Sequence, residues 1–70
     1  MINDWIKELH LNDWVEFTHE GVEMGGLILK ILDDEEIIVR PQEPHTEQRA
    51  SIRIKTSTIV RVNYRSVSYA

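Results

Sequence analysis

Between Trp14 and Asn63 the chain carries five short apolar segments, and in three of them apolar and polar residues alternate. A period of two indicates β-strands that bury one face, so Val15 and Phe17 are expected to point inward. Five strands in so short a stretch can bury one continuous face only by curling into a barrel. The segments are Trp14–Thr18, Leu27–Leu32, Ile37–Val39, Ser51–Lys55 and Ile59–Asn63.

The connections between these strands carry turn-forming residues. His19–Gly21 and the acidic Asp33–Glu36 are typical of turns between paired strands. Gly25–Gly26 permits a bulge or a sharp bend. Pro41–Arg49 is polar and holds two prolines, so no strand is expected to run through it. Thr56–Thr58 is expected to form a tight connection of one 3₁₀ turn.

Before the first strand the apolar pattern is helical. The residues at helical spacing are Ile2, Trp5, Ile6 and Leu9. A helix of about eight residues is not stable alone in water, so its apolar face is expected to pack on the barrel end. The sequence therefore predicts one domain with a helix at about 3–10, a barrel at about 13–63 and a tail at 64–70 without a recognisable pattern.

The chain has 70 residues, which supports one small core. It contains no cysteine, which excludes disulfides and thiolate metal sites. No apolar run approaches the roughly 18 residues of a membrane span, and the N-terminal residues lack the order of a signal peptide. We expect a soluble, cytoplasmic protein that does not contact membranes, in the style of a bacterial or phage accessory protein.

Charge is distributed unevenly along the chain. Residues 1–36 carry ten acidic and two basic side chains, whereas residues 37–70 carry six basic and two acidic ones. Such asymmetry can create a basic binding surface or attract the opposite end of a neighbouring molecule. Alternatively, the two sets neutralise each other across adjacent strands, and the sequence leaves both interpretations open.

The order of these elements resembles the SH3-like small barrels, and a helix in front is most similar to the Sm/Hfq-like branch. In Sm proteins a turn glycine is followed five residues later by a second glycine and an apolar strand, as in Gly21, Gly26 and Leu27–Leu32. Ile54–Val60 is similar to the second Sm motif. The chain also resembles KOW-type domains, the C-terminal domain of biotin ligases and YolD-like proteins.

The chain departs from the Sm pattern at the positions that contact RNA in that family. Asp33 comes one residue late, and Glu36 stands where the base-contacting asparagine falls. Lys55 replaces the motif's arginine and Thr56 its glycine. An acid at position 36 repels phosphate, so the resemblance implies the barrel fold more than the RNA-binding activity.

No pattern typical of catalysis occurs. His10, His19 and His45 do not lie at metal-ligand spacing, and Gly25–Gly26 precedes a strand rather than the helix of a phosphate-binding loop. The acidic run Asp33–Glu36 does not match a calcium loop and is better explained as a solvated turn. We therefore expect no enzyme activity, no cofactor, no metal and no small-molecule substrate.

Two features are typical of binding. Arg53 and Lys55 share one strand face, and Arg61 joins them in one basic patch if their strands are neighbours, which suits phosphate binding. Trp14 alternates with the inward residues and should face outward, where it packs under the helix against Trp5 or anchors a partner.

From these features we expect an interaction module that binds a protein partner or itself, as in an Sm-type ring of paired edge strands. The alternative is an RNA- or DNA-binding protein that uses the basic strand face.

Overall fold

A computed structural model of the protein describes residues 4–43 and 50–68. A short helix precedes six strands, and a 3₁₀ turn separates the fourth strand from the fifth. The elements are α1 (Asp4–Lys7), β1 (Trp14–His19), β2 (Val22–Ile31), β3 (Glu36–Glu43), β4 (Ile52–Lys55), the 3₁₀ turn Thr56–Thr58, β5 (Ile59–Val62) and β6 (Arg65–Ser66). Within the described residues, no helix has both the length and the apolar character needed to cross a bilayer.

The six strands form one antiparallel sheet in the order β4-β3-β2-β1-β5-β6. The predicted mainly-β fold with a short N-terminal helix is therefore confirmed. β4 and β6 are the two edges and do not pair with each other, so hydrogen bonds do not close the described sheet into a barrel.

The strand count was predicted incorrectly, because the tail contributes a sixth strand. Asn63 and Tyr64 have φ angles of 49° and 68°. Two consecutive residues with positive φ reverse the chain in a tight turn, which brings Arg65–Ser66 alongside β5. Neither residue is glycine, so the sequence carries no strong signal for this turn.

The turn between β1 and β2 is a two-residue hairpin. Glu20 and Gly21 have φ angles of 51° and 78°, the pair of left-handed conformations that a type I′ turn requires. The predicted turn at His19–Gly21 is confirmed. At Gly25–Gly26, where the sequence permits a bulge or a sharp bend, the pairing of β2 with β3 shifts register.

β3 contradicts the prediction of a loop from Pro41 onward, since it runs through that residue to Glu43. Proline has no backbone N–H to donate and is tolerated where a ladder is interrupted. Pro41 lies opposite Gly26, where the register shifts. The rest of the predicted loop, with His45 and Arg49, lies outside the described residues.

The core lies on one side of the sheet and is covered at one end by the N-terminal segment. Val15 and Phe17 are completely or almost completely buried, as predicted, and Trp5 and Ile6 pack against the core. The buried apolar residues are Leu9, Val15, Phe17, Met24, Ile28, Ile37, Val39, Ile54 and Ile59. The predicted packing of the helix face is confirmed.

The helix is shorter than predicted, because it spans Asp4–Lys7 rather than about 3–10. Residue 3 lies outside the described residues. At the other end, the backbone N–H of His10 donates to the carboxylate of Asp13, and Asn12 has a φ of 71°. These turns lead the chain into β1 while keeping Leu9 buried.

The acidic residues between β2 and β3 form the predicted turn. Asp33 Oδ1 accepts hydrogen bonds from the backbone N–H groups of Glu35 and Glu36, at 2.7 and 2.9 Å. The 3₁₀ turn packs against this segment, since the buried Thr56 hydroxyl donates to the Asp34 carbonyl at 2.8 Å. The two connections therefore support each other at one end of the sheet.

Candidate interaction surface

Side chains of β1–β5 that point away from the core form one surface, which we call the outer face. Because successive side chains alternate between the two sides of a strand, the register fixes which outward residues are neighbours. Along β2, from its start to its end, the outward residues are Glu23, Gly25, Leu27 and Lys30. Each marks a row of side chains that crosses the sheet.

The first rows are predominantly acidic. Glu16 pairs with Gly25 on one side and with Arg61 on the other. Glu23 and Glu43 line the same cleft of about 460 Å³ as Glu16 and Arg61. We call these four residues the acidic end; three carboxylates and one guanidinium give it a net charge of −2.

The middle row is apolar and aromatic. Trp14 pairs with Leu27, which pairs in turn with Arg40. The indole lies over Gly25, where an added Cβ would come within 2.5 Å of a ring carbon of Trp14. Tyr64 stacks on the indole with a centroid separation of 6.0 Å and is 73% exposed. An aromatic pair therefore lies at the side of the outer face.

The last rows are predominantly basic. Lys30 pairs with Ile38, and Ile38 pairs with Arg53. Glu36 pairs with Lys55 in the next row. We call Lys30, Arg53, Lys55 and Glu36 the basic end; three cations and one carboxylate give it a net charge of +2. The strand residues at the two ends of the outer face thus carry opposite charge, and the exposed carboxylates of the turn Asp33–Glu35 adjoin the basic end.

The predicted basic patch is only partly assembled. Arg53 and Lys55 do share the outer side of β4, but β4 and β5 are not neighbours, since β3, β2 and β1 lie between them in the sheet. Arg61 therefore belongs to the acidic end. The predicted patch required β4 and β5 to be neighbours. The 3₁₀ turn connects them in sequence but does not place them side by side in the sheet.

Two ion pairs link the acidic half of the sequence to the basic half. Arg53 Nε lies 3.4 Å from a Glu36 carboxylate oxygen, and an Arg61 guanidinium nitrogen lies 3.9 Å from Glu16. All four side chains remain at least 30% exposed, so each pair contributes little to stability. These two pairs support the interpretation that the acidic and basic halves of the sequence partly neutralise each other across adjacent strands.

Two polar atoms of the outer face are buried without a hydrogen-bond partner among the described residues. They are the indole Nε1 of Trp14 and one carboxylate oxygen of Glu16. A buried polar atom without a partner costs free energy, on the order of 1–3 kcal/mol. Trp14 faces outward as predicted, with Tyr64 and Gly25 beside it; its role as a partner anchor stays a prediction.

Sequence reasoning missed Lys30 as a member of this surface, whereas it considers Arg40 and Tyr64 beside the predicted basic patch. Register shifts in the β2–β3 pairing, at Gly25/Gly26 and between Ile28 and Lys30, decide which residues of β2 and β3 share a row. Alternation within one segment does not reveal such shifts. The Gly–Gly pair was the available signal, and it indicated a bulge without indicating the new register.

Within residues 4–43 and 50–68, no group of three or more His, Asp or Glu side chains is arranged to hold a metal ion. The fold and the surface define a small antiparallel β-sheet domain with a short helix and a charge-polarised outer face. Comparison with family models, curated proteins and solved structures gave no match to this chain. The resemblance to the SH3-like and Sm-like barrels therefore stays a prediction.

Proposed function

We propose that this protein is a small, non-enzymatic interaction module whose outer face binds another protein molecule. The polarised outer face carries the proposal. It offers an acidic end, an apolar middle and a basic end on one surface, and no described element covers it. Opposite charges on one surface favour a partner with complementary charges and fix its orientation.

The proposed fold type is an SH3-like barrel of the Sm/Hfq-like kind. Three features support it: β1 pairs with both β2 and β5, a 3₁₀ turn separates β4 from β5, and a helix packs at the N-terminal end. In such a fold the core side is filled by the domain's own side chains. Binding is then left to the outer face, the sheet edges and the loops.

The aromatic pair of Trp14 and Tyr64 at the side of the outer face adds support. Aromatic residues such as Trp14 and Tyr64 are enriched among the residues that dominate binding energy at protein interfaces.

Photocrosslinking in the cells that produce the protein tests this proposal. A photoreactive phenylalanine analogue replaces Tyr64 on the outer face, and in a matched control it replaces the exposed Ser57 of the 3₁₀ turn. We expect protein adducts from position 64 and few from position 57. Absence of protein adducts at position 64, or equal labelling at both positions, would refute the proposed function.

The alternative function is RNA or DNA binding, and the clustering of Lys30, Arg53 and Lys55 favours it. Phosphate contacts strengthen as salt falls, so the test is a titration of labelled single-stranded RNA and DNA at low salt. Arg53→Ala and Lys55→Ala should weaken binding, whereas Arg61→Ala, at the acidic end, should affect it less. No binding by the wild-type protein at low salt would exclude this alternative.

A further inference from the structure

The outer face is complementary to itself. Its acidic end has a net charge of −2 and its basic end +2, and the row of Trp14, Leu27 and Arg40 lies between them. An interface between identical subunits related by a two-fold axis must use one self-complementary patch. A surface with opposite charges on the two sides of a central row meets this requirement.

We propose that the outer face binds a second copy of this chain, with the two faces packed about a two-fold axis that runs across the strands at Leu27. This arrangement places Glu23 on β2 of each copy opposite Lys30 on β2 of the other. The inference rests on the proposed function and names the partner. It differs from a ring of paired edge strands, because it leaves the sheet edges free.

The spacing of the rows fits this axis. Glu23 lies four residues before Leu27 and Lys30 lies three residues after it. At about 3.3 Å per residue, the row of Glu23 lies roughly 13 Å from the axis. The register shift between Ile28 and Lys30 leaves the row of Lys30 and Ile38 two β3 residues from the row of Leu27 and Arg40, so it lies roughly 7 Å from the axis. After rotation about the central row, the long Lys30 side chain of one copy extends toward Glu23 of the other, and the reverse contact forms by symmetry.

The centre of the face supplies apolar contact. Leu27 is half-buried and Tyr64 is largely exposed, so a facing copy would cover apolar surface that water now contacts. Lys30 of the opposite copy would also approach the Glu16 carboxylate, whose side chain is 30% exposed. The charged contacts predict an affinity that falls as salt rises.

The first test is the solution mass by sedimentation equilibrium over a wide range of concentrations. At low salt we expect the mass to approach twice the monomer's 8.2 kDa, and high salt should raise the dimer dissociation constant by about tenfold or more. A monomer at millimolar concentration and low salt would overturn the inference. So would an assembly larger than a dimer, which indicates edge pairing instead.

The second test reverses one charge at each end of the face. Lys30→Glu and Glu23→Lys each create like-charge contacts at both symmetry-related positions, so each variant alone should dimerise at least about tenfold more weakly. A mixture of the two variants should form a heterodimer near wild-type affinity. The matched controls Lys7→Glu and Glu8→Lys make the same charge changes off the outer face and should leave dimerisation unchanged.

These variants change exposed side chains, and circular dichroism would verify that each is folded. Equal weakening by Lys7→Glu would overturn the inference, because net charge would then explain the effect. Failure of the mixture to recover affinity would do the same. Failure of this inference is distinguishable from failure of the proposed function. If the protein is monomeric but still crosslinks other proteins through position 64, the proposed function stands and only the second copy is excluded as the partner.

Discussion

The substitution Gly25→Ala tests whether the Trp14 indole lies flat on the sheet. A Cβ at position 25 would be 2.5 Å from the ring carbon Cζ2 of Trp14, whereas carbon atoms in contact are normally about 3.5–4.0 Å apart. The ring must therefore move by about 1 Å and lose its fit over the backbone. Overpacking of this kind costs about 1–3 kcal/mol.

An opposing contribution has to be subtracted. Alanine is more stable than glycine inside a strand by roughly 0.5–1 kcal/mol, because it has less backbone freedom to lose on folding. The net expectation is that Gly25→Ala lowers the free energy of unfolding by about 1–2 kcal/mol. For a domain of this size, with about 3–5 kcal/mol in total, the variant remains folded in buffer.

Urea unfolding followed by far-ultraviolet circular dichroism measures this loss. With a urea dependence of about 1 kcal/mol per molar, the midpoint should fall by about 1–2 M. The same substitution is then made in a Trp14→Val background, which keeps a strand-forming residue and removes the ring. There the clash is absent, so Gly25→Ala should stabilise the protein by about 0.5–1 kcal/mol.

The change of sign between the two backgrounds is the decisive result. An equal loss of stability in both would refute the placement of the indole over Gly25. Gly26→Ala is a matched control, because its added Cβ would meet the backbone carbonyl of Arg40 instead of a movable side chain. It should destabilise the protein in both backgrounds.

Three further predictions concern the core and the connections. Asp33→Ala removes the acceptor of two backbone N–H groups and should lower the free energy of unfolding in urea by about 0.5–1.5 kcal/mol. Asp34→Ala should lower it less, and equal losses in the two variants would contradict the assigned turn. Ile37→Val deletes a fully buried methyl group and should cost about 0.5–1.5 kcal/mol in thermal unfolding, whereas Ile31→Val, at an exposed position, should be close to neutral. Thr56→Val removes the hydroxyl that donates to the Asp34 carbonyl and should cost about 1 kcal/mol by urea unfolding; Thr56→Ser retains the donor, so an equal loss in both variants would contradict that bond's contribution.

Local patterns in the sequence predicted local structure well. The inward positions of Val15 and Phe17 follow from alternation within one strand, and the acidic turn at Asp33–Glu36 follows from its composition. In each case, the information lies within a few neighbouring residues. The inward positions of Val15 and Phe17 and the sequential order of the first five strands could therefore be predicted.

The outer face could not be predicted, because it depends on register between strands distant in sequence. Extra residues at the irregularities of the β2–β3 ladder bring Lys30 into one row with Arg53 and Arg40 into one row with Leu27. Conversely, Arg61 is close to Lys55 in sequence and far from it in the sheet. Single-strand alternation contains none of this information.

The pairing of β1 with β5 has a consequence for how the protein folds. The backbone N–H of Trp14 donates to the side-chain oxygen of Asn63, 49 positions later. Chain closure over such a distance costs entropy before any contact compensates it, so folding is expected to be slow for a domain of this size. During synthesis, β1 cannot pair with β5 until β5 has left the ribosome, so one edge of β1 stays unpaired until then.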